Sequence, residues 1–355
     1  MLGDVFFSLL ISFTFSLFFG AGFYRIVDLA VCDFKPELES QWKILLTLSC
    51  IFPLCNLFLY YLLLLFHGFQ DIFYILSICL FFLLIVFTAF RFRVKKIVTI
   101  YLEWFRICFS RKYLIVFFCV SIVSVIYCSI KRLTEFDYIE YGVQGKIFYL
   151  AKSIIYRKDL YDPISGFYFV GLHGYTFPLY NTLNLLLNKI FHKSSDIIFR
   201  QISSIYAFFT IFLMYSGIRS FNNKRAWVPV LFLILSPGFI IISLRFHIDT
   251  YRLFFTLVSF LLFYILVCHP DNMYLSFLFG IVLGFNSTAH SIGFIMSVII
   301  LLVFCIFIFL QSRRQKDKLV ICGLPVLISL LSGGIHYLLD IFIGTGWIFK
   351  SINFY

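Results

Sequence analysis

The chain has 355 residues, 62% of them hydrophobic and only 13% charged, with a formal net charge of +12. Soluble domains carry roughly a quarter of their residues as charged side chains. Apolar runs of the ~20 residues needed to cross a bilayer recur along this chain, which excludes a soluble enzyme or binding module. The runs are long and uniformly apolar, which also excludes the short alternating strands of a membrane barrel.

The expected fold class is therefore an all-α polytopic membrane protein, with about ten transmembrane helices. The first span is predicted over residues 5–26, with no basic segment before it, so it is expected to be an anchor with its N-terminus outside. Spans two and three follow at 44–66 and 72–90, joined by a tight turn. Residues 91–112 then bring seven basic side chains against one acid, the density of a cytoplasmic loop, whose apolar residues could also pave a helix on the inner leaflet. Span four covers 113–130 and leads into the one long polar interruption, 131–196, placed outside. Spans five to ten are predicted at 197–218, 226–243, 253–268, 274–285, 292–310 and 319–339, with residues 245–252, 286–290 and the tail outside. Span eight is short enough to be re-entrant.

This alternation puts most of the basic residues in the inner loops, so the net charge is a topology signal and not a nucleic-acid surface. Nearly all of the ten cysteines lie in or beside apolar runs, without CxxC or metal-ligand spacing, so they are expected to pack as small apolar residues. The chain divides into residues 1–112, three spans plus the basic loop, and residues 113–355, a seven-span unit with the external loop 131–196.

An ionisable residue within a span is by default functional, but the middles of these spans are almost free of charge. Transporters place their sites near the midplane on broken helices, and neither feature is evident here. The polar groups gather instead at the predicted outer ends. Asp137 and Glu140 follow span four and share a helix face, where a carboxylate could take a proton from an incoming hydroxyl or hold a divalent cation. Arg245, His247, Asp249 and Arg252 lie between spans six and seven. The planar fork of Arg suits phosphate, and His could assist a leaving phosphate or bind a metal. His173, Tyr175 and Tyr180 sit with Pro178 ahead of an amphipathic stretch, the tyrosines able to stack on a sugar or anchor among headgroups. His290 is a further candidate to line the same cavity. Residues 286–288 (Asn-Ser-Thr) form a glycosylation acceptor that lies too close to the membrane to be used. No phosphate-binding glycine loop, HExxH or GxSxG occurs.

Three segments together resemble the GT-C superfamily of membrane glycosyltransferases, which includes protein O-mannosyltransferases, aminoarabinose transferases and related bacterial enzymes. The first is acidic and follows a span, Glu135-Phe136-Asp137-Tyr138-Ile139-Glu140. The second is His173-Gly174-Tyr175-Thr176-Phe177-Pro178-Leu179-Tyr180, before the next span. The third is Phe246-His247-Ile248-Asp249-Thr250-Tyr251-Arg252, a short external loop with another acid. The resemblance covers residues 113–355 and implies a seven-span GT-C-like module whose first external loop carries juxtamembrane helices. It implies an inverting transfer of a sugar from a polyprenyl-phosphate-linked donor to a glycan, lipid or protein acceptor. The site would face the periplasm or exterior of a bacterial inner or plasma membrane. Asp137 would be the base, with Glu140 beside it, and the donor phosphate would lie near Arg245, His247 or Arg252. Asp249 would be a second acidic site. No cofactor is required; a divalent cation, if used, would fall to Asp137 and Asp249. Three extra N-terminal spans, the spaced acids and the absence of a following domain depart from the family pattern. The rival functions are a polysaccharide polymerase or ligase, a flippase or transporter of lipid-linked glycans, and a non-catalytic scaffold.

Overall fold

A computed structural model describes residues 23–24, 26–30, 42–43, 45–47, 49–50, 53–54, 99, 102, 161–162, 167–168, 195–220, 225–244, 249–289, 291–311 and 315–334. These residues are helical apart from short turns and one small ladder. The ladder pairs β1 (Tyr161–Asp162) antiparallel with β2 (Phe167–Tyr168), with Tyr161 opposite Tyr168. Juxtamembrane helices are the expectation for the segment that contains it.

Seven helices follow. They are α1 (Ser195–Ser220), α2 (Trp227–Leu235), α3 (Pro237–Leu244), α4 (Asp249–Cys268), α5 (Met273–Ala289), α6 (Ser291–Gln311) and α7 (Gln315–Ser329). A π-helical turn, Leu330–Gly334, extends α7. Two stretches, Asp249–Cys268 in α4 and Ile292–Leu310 in α6, are long and apolar enough to cross a membrane. At 1.5 Å per residue, twenty residues reach about 30 Å, the thickness of a hydrocarbon core. Along α6, Ile292, Ile295, Ile299, Leu302, Ile306 and Leu310 are all exposed at helical spacing. Such a continuous apolar face is foreign to the surface of a soluble monomer.

From α4 to α7 the helices run alternately up and down. Tyr206, near the middle of α1, stacks on Tyr251 with ring centres 4.8 Å apart, so the start of α4 lies beside the middle of α1. A turn at His269–Asn272 reverses the chain between α4 and α5. There Asn272 accepts Leu275 N–H on its side chain (3.0 Å), closing the start of α5 as a helix cap. Phe304 of α6 meets Phe263 of α4 and Phe279 of α5 at 6.1 and 5.4 Å, and α6 therefore runs parallel to α4. Along α7, Pro325 lies against Gly280 and Ser332 against Gly284, so α7 runs parallel to α5.

The centre of this bundle is α5, the segment expected to be short and re-entrant. From Leu275 to Thr288 every residue except Phe277 is buried. Its neighbours α4, α6 and α7 surround it. It crosses from the end of α4 to the start of α6 and does not turn back. Met273 and Tyr274 at its start are exposed, and protein covers it from Leu275 onward.

Glycine makes this central position tolerable. Gly280 and Gly284 are four residues apart on α5, the small-xxx-small spacing that lets two helix backbones approach closely. A Cβ at Gly280 would lie 2.8 Å from the Ile328 Cβ and 2.9 Å from the Pro325 carbonyl. A Cβ at Gly284 would overlap the Ser332 hydroxyl.

Two further differences from the expected spans have local causes. The sixth span is interrupted: Ser236 is extended (φ −65°, ψ 120°) and α3 begins afresh at Pro237. Proline lacks the N–H that would continue α2 and pushes its predecessor out of the helical region. The outer connection expected at 286–290 is mostly helix, because α5 continues through Asn286, Ser287 and Thr288 to Ala289. Their side chains bond to neighbouring helices and to their own helix, which keeps this polar stretch wound.

N-terminal residues pack onto this bundle. The Tyr206 hydroxyl donates to the Ser49 carbonyl (2.7 Å), and Trp42 lies 3.6 Å from where a Gly217 Cβ would be, so the order of Trp42 and Ser49 along α1 is antiparallel to it. Trp42, Leu45, Leu46 and Cys50 are buried. Near the turn between α4 and α5, the Asn272 side chain donates to the Ala30 carbonyl at 3.2 Å. The Lys43 ammonium meets Asp28 at 2.6 Å. The described parts of residues 23–50 are thus fixed to the seven-helix unit by packing and hydrogen bonds.

Candidate functional site at the Asp249 end of the bundle

The up-and-down order gathers one set of chain ends around the start of α4. The middle of α1, the start of α6, the end of α5 and the π-helical turn after α7 lie at this end. The opposite end carries Arg219, Arg225, His269 and Asp271. The polar residues of the two ends differ in kind, with a carboxylate–guanidinium pair and buried hydroxyl and amide groups at the first.

Asp249 opens α4. A carboxylate in the first turn is favoured there by the partial positive charge of the unpaired N–H groups. One turn on, Arg252 returns to it, with Nη2 at 2.9 Å from Oδ1. Both side chains are about a quarter exposed, so the pair sits at the rim and not in the core. Residues three apart on a helix are neighbours, which is why the sequence spacing alone produces the contact. The carboxylate holds the guanidinium in a fixed orientation, a useful property for binding phosphate through parallel N–H donors.

Beneath the pair the helix turns inward. Thr250, Tyr251, Phe254 and Phe255 are fully or almost fully buried. The Tyr251 and Phe255 rings are 4.5 Å apart, and Tyr206 and Phe285 complete the cluster. This aromatic floor supports the first turn of α4 rigidly from below.

Deeper still lies a polar bridge between three helices. Asn286 of α5 is fully buried. Its Oδ1 accepts from Thr256 Oγ1 of α4 at 3.0 Å. Its Nδ2 donates to the Gly293 carbonyl at 3.3 Å and to Ser297 Oγ at 3.0 Å, both on α6. The Ser297 hydroxyl in turn donates to the Leu283 carbonyl (3.0 Å). On the other flank of α5, Ser332 donates to the Ile328 carbonyl at 2.7 Å and lies 3.3 Å from the Gly280 carbonyl. A buried amide in an apolar bundle would be costly without partners, and here the side-chain oxygen and nitrogen both have them. The same burial, with Ser287 and Thr288 also enclosed, withholds this Asn-Ser-Thr triplet from glycosylation in the folded protein.

Of the residues singled out from the sequence, Asp249 and Arg252 are brought together. Asp137, Glu140, His173, Tyr175, Tyr180, Arg245, His247 and His290 lie outside the described residues. Among the described residues, no group of three His, Cys, Asp or Glu side chains is close enough to hold a metal ion. Sequence reasoning misses Asn286 and the Gly280/Gly284 pair as structural determinants. The four-residue glycine spacing is the available signal for the second. For Asn286 the Asn-Ser-Thr pattern points to glycosylation and away from helix packing.

No model of a known protein family, no curated protein and no solved structure matches the chain.

Proposed function

We propose that the chain is a polytopic membrane glycosyltransferase of GT-C type. It moves a sugar from a polyprenyl-phosphate-linked donor to a glycan, lipid or protein acceptor at the outer membrane face. The observation that carries this reading is the Asp249–Arg252 pair, a pre-oriented guanidinium at the rim of an apolar helical bundle. A lipid-linked donor has both parts such a site needs: an apolar tail for the helix faces, and a phosphate at the level of the rim. Arg252 would meet the phosphate as negative charge develops on it, an interaction strongest where water is partly excluded. Asp137 would take the acceptor's proton, with Glu140 beside it. Arg245 and His247 precede α4 in the chain by a few residues and would complete the phosphate site. His173, Tyr175, Tyr180 and His290 would shape the acceptor side. A divalent cation is compatible with this scheme and not required by it.

The test is transfer activity in membranes. Arg252→Lys keeps the charge but loses the planar fork, and should lower transfer at least about tenfold, the scale of one lost transition-state contact. Asp249→Asn should do the same with unchanged protein abundance. Wild-type transfer in both variants would remove this pair from the mechanism.

A second reading, movement of a lipid-linked glycan across the membrane, is favoured by one observation. The helix pair α2–α3 is interrupted at Ser236–Pro237, part-way along its length, and broken helices at mid-membrane are a habit of transporters. Transport without transfer in the purified protein would select it.

A further inference from the structure

Two native cysteines face each other across the hairpin of α6 and α7. Cys305 lies six residues before the end of α6 at Gln311, and Cys322 seven residues after the start of α7 at Gln315. At 1.5 Å per residue they stand about 9 and about 10 Å from the segment that joins the helices. The two helices are in contact, and they run antiparallel because α6 follows the direction of α4 and α7 that of α5. The two residues are therefore at one level of the bundle. Their side chains meet: the thiols share a hydrogen bond, and neither is in a disulfide.

A disulfide brings its two sulfurs to about 2.0 Å. Thiols already in hydrogen-bonding contact are a short side-chain movement from that distance. Exposure is graded across the pair, with Cys322 buried and Cys305 partly exposed. Leu302 and Ile306, within one turn of Cys305, and Leu319, one turn before Cys322, are exposed. A reagent that reaches the pair from outside thus meets Cys305 first, among apolar side chains. Such surroundings favour an apolar oxidant over a charged one.

We infer that Cys305 and Cys322 form an oxidative modification site, a dithiol that an organic hydroperoxide converts to a disulfide joining α6 to α7. In the first step the Cys305 sulfur takes the terminal oxygen of the hydroperoxide. The O–O bond breaks, an S–O bond forms, and the reagent leaves as its alcohol; Cys305 is oxidised to the sulfenic acid and the hydroperoxide is reduced. In the second step the Cys322 sulfur attacks that of Cys305. The S–S bond forms, the S–O bond breaks, and the hydroxyl leaves with the Cys322 proton as water. The product staples the hairpin and keeps α7 from sliding along α6. This inference goes beyond glycosyl transfer and depends on nothing in it.

The experiment uses the full chain, fully reduced, in lipid nanodiscs treated with cumene hydroperoxide. Remaining thiols are alkylated, and linked peptides are read by mass spectrometry without reduction. The site predicts a Cys305–Cys322 linkage that dithiothreitol reverses. It should be at least about tenfold more abundant than any linkage of either residue to Cys268, the exposed thiol at the end of α4. No Cys305–Cys322 linkage, or linkages to Cys268 of equal abundance, overturns the site. Cys322→Ala leaves the first step without its second thiol. Dimedone, which traps sulfenic acid, should then label Cys305 at least about tenfold more than in wild type. Equal labelling of the two proteins overturns the role of Cys322 as the thiol that completes the disulfide.

Discussion

Replacing Gly284 by Ala adds one methyl group at the tightest described crossing in the bundle. The new Cβ would overlap Ser332 Oγ, lie 2.8 Å from Ser332 Cβ and 2.9 Å from the Ser329 carbonyl. The hydroxyl can swing aside, at the loss of its bond to the Ile328 carbonyl. The Ser332 Cβ and the Ser329 carbonyl move only if the turn of α7 moves with them. Overpacking of this kind costs typically about 1–3 kcal/mol. Part of that is offset because Ala is the better helix former by up to about 1 kcal/mol. Gly323→Ala isolates the two effects. Gly323 is also in a helix, is exposed, and a methyl group added there would meet nothing within 4 Å. It should be neutral or stabilised by the helix preference alone. The difference between the two variants is then the packing cost, about 1–3 kcal/mol. Unfolding of the purified protein in mixed micelles, followed by tryptophan fluorescence against an ionic detergent, measures it. Ser332→Gly in the Gly284→Ala background should recover part of the loss, since residues in contact do not add. Equal stability of Gly284→Ala and Gly323→Ala would refute the close crossing of α5 and α7.

Three other outcomes follow from particular contacts. Asn286→Leu severs the bridges from α5 to Thr256, Gly293 and Ser297, and should cost about 2–5 kcal/mol, at roughly 0.6 to 1.7 for each of the three interhelical bonds, in the same unfolding assay. Asn286→Gln should leave the electrophoretic mass unchanged even in cells that glycosylate, because the triplet is enclosed; a loss of mass would contradict its burial. A double-mutant cycle on Asp28 and Lys43 should give a coupling of at most about 1 kcal/mol, weaker in high salt, because the Asp28 side chain is half exposed.

The class of structure is legible in the sequence, and its centre is not. Long apolar runs separated by polar turns are sufficient to predict helices, because a span must satisfy its backbone internally. The boundaries of the runs at 253–268 and 292–310 fall within a few residues of α4 and α6 for that reason. Asp249 and Arg252 are legible as a pair, since three-residue spacing places them on one face once the helix starts at Asp249. Span eight looks re-entrant by its length, and length says nothing about what surrounds a helix. Its centrality depends on contacts from α4, α6 and α7, which are distant in sequence, and only the Gly280/Gly284 spacing hints at them. Pro237 is visible in the sequence, yet a proline can kink a helix or end it, and the extended Ser236 decides between these. Most residues of the proposed site, namely Asp137, Glu140, His173, Tyr175, Tyr180, Arg245, His247 and His290, lie outside the described residues. Mutation and activity measurements are what connect it to Asp249 and Arg252.

The most direct measurement is transfer by the purified protein in liposomes, supplied with polyprenyl-phosphate-linked sugars and a membrane lipid or glycan fraction as acceptor. Wild type should consume a donor and form a glycosidic product of inverted anomeric configuration. Asp137→Asn should form none while reaching the same abundance and the same stability in the unfolding assay. Undiminished transfer by Asp137→Asn, or no turnover of any lipid-linked donor by wild type, would contradict the proposed function.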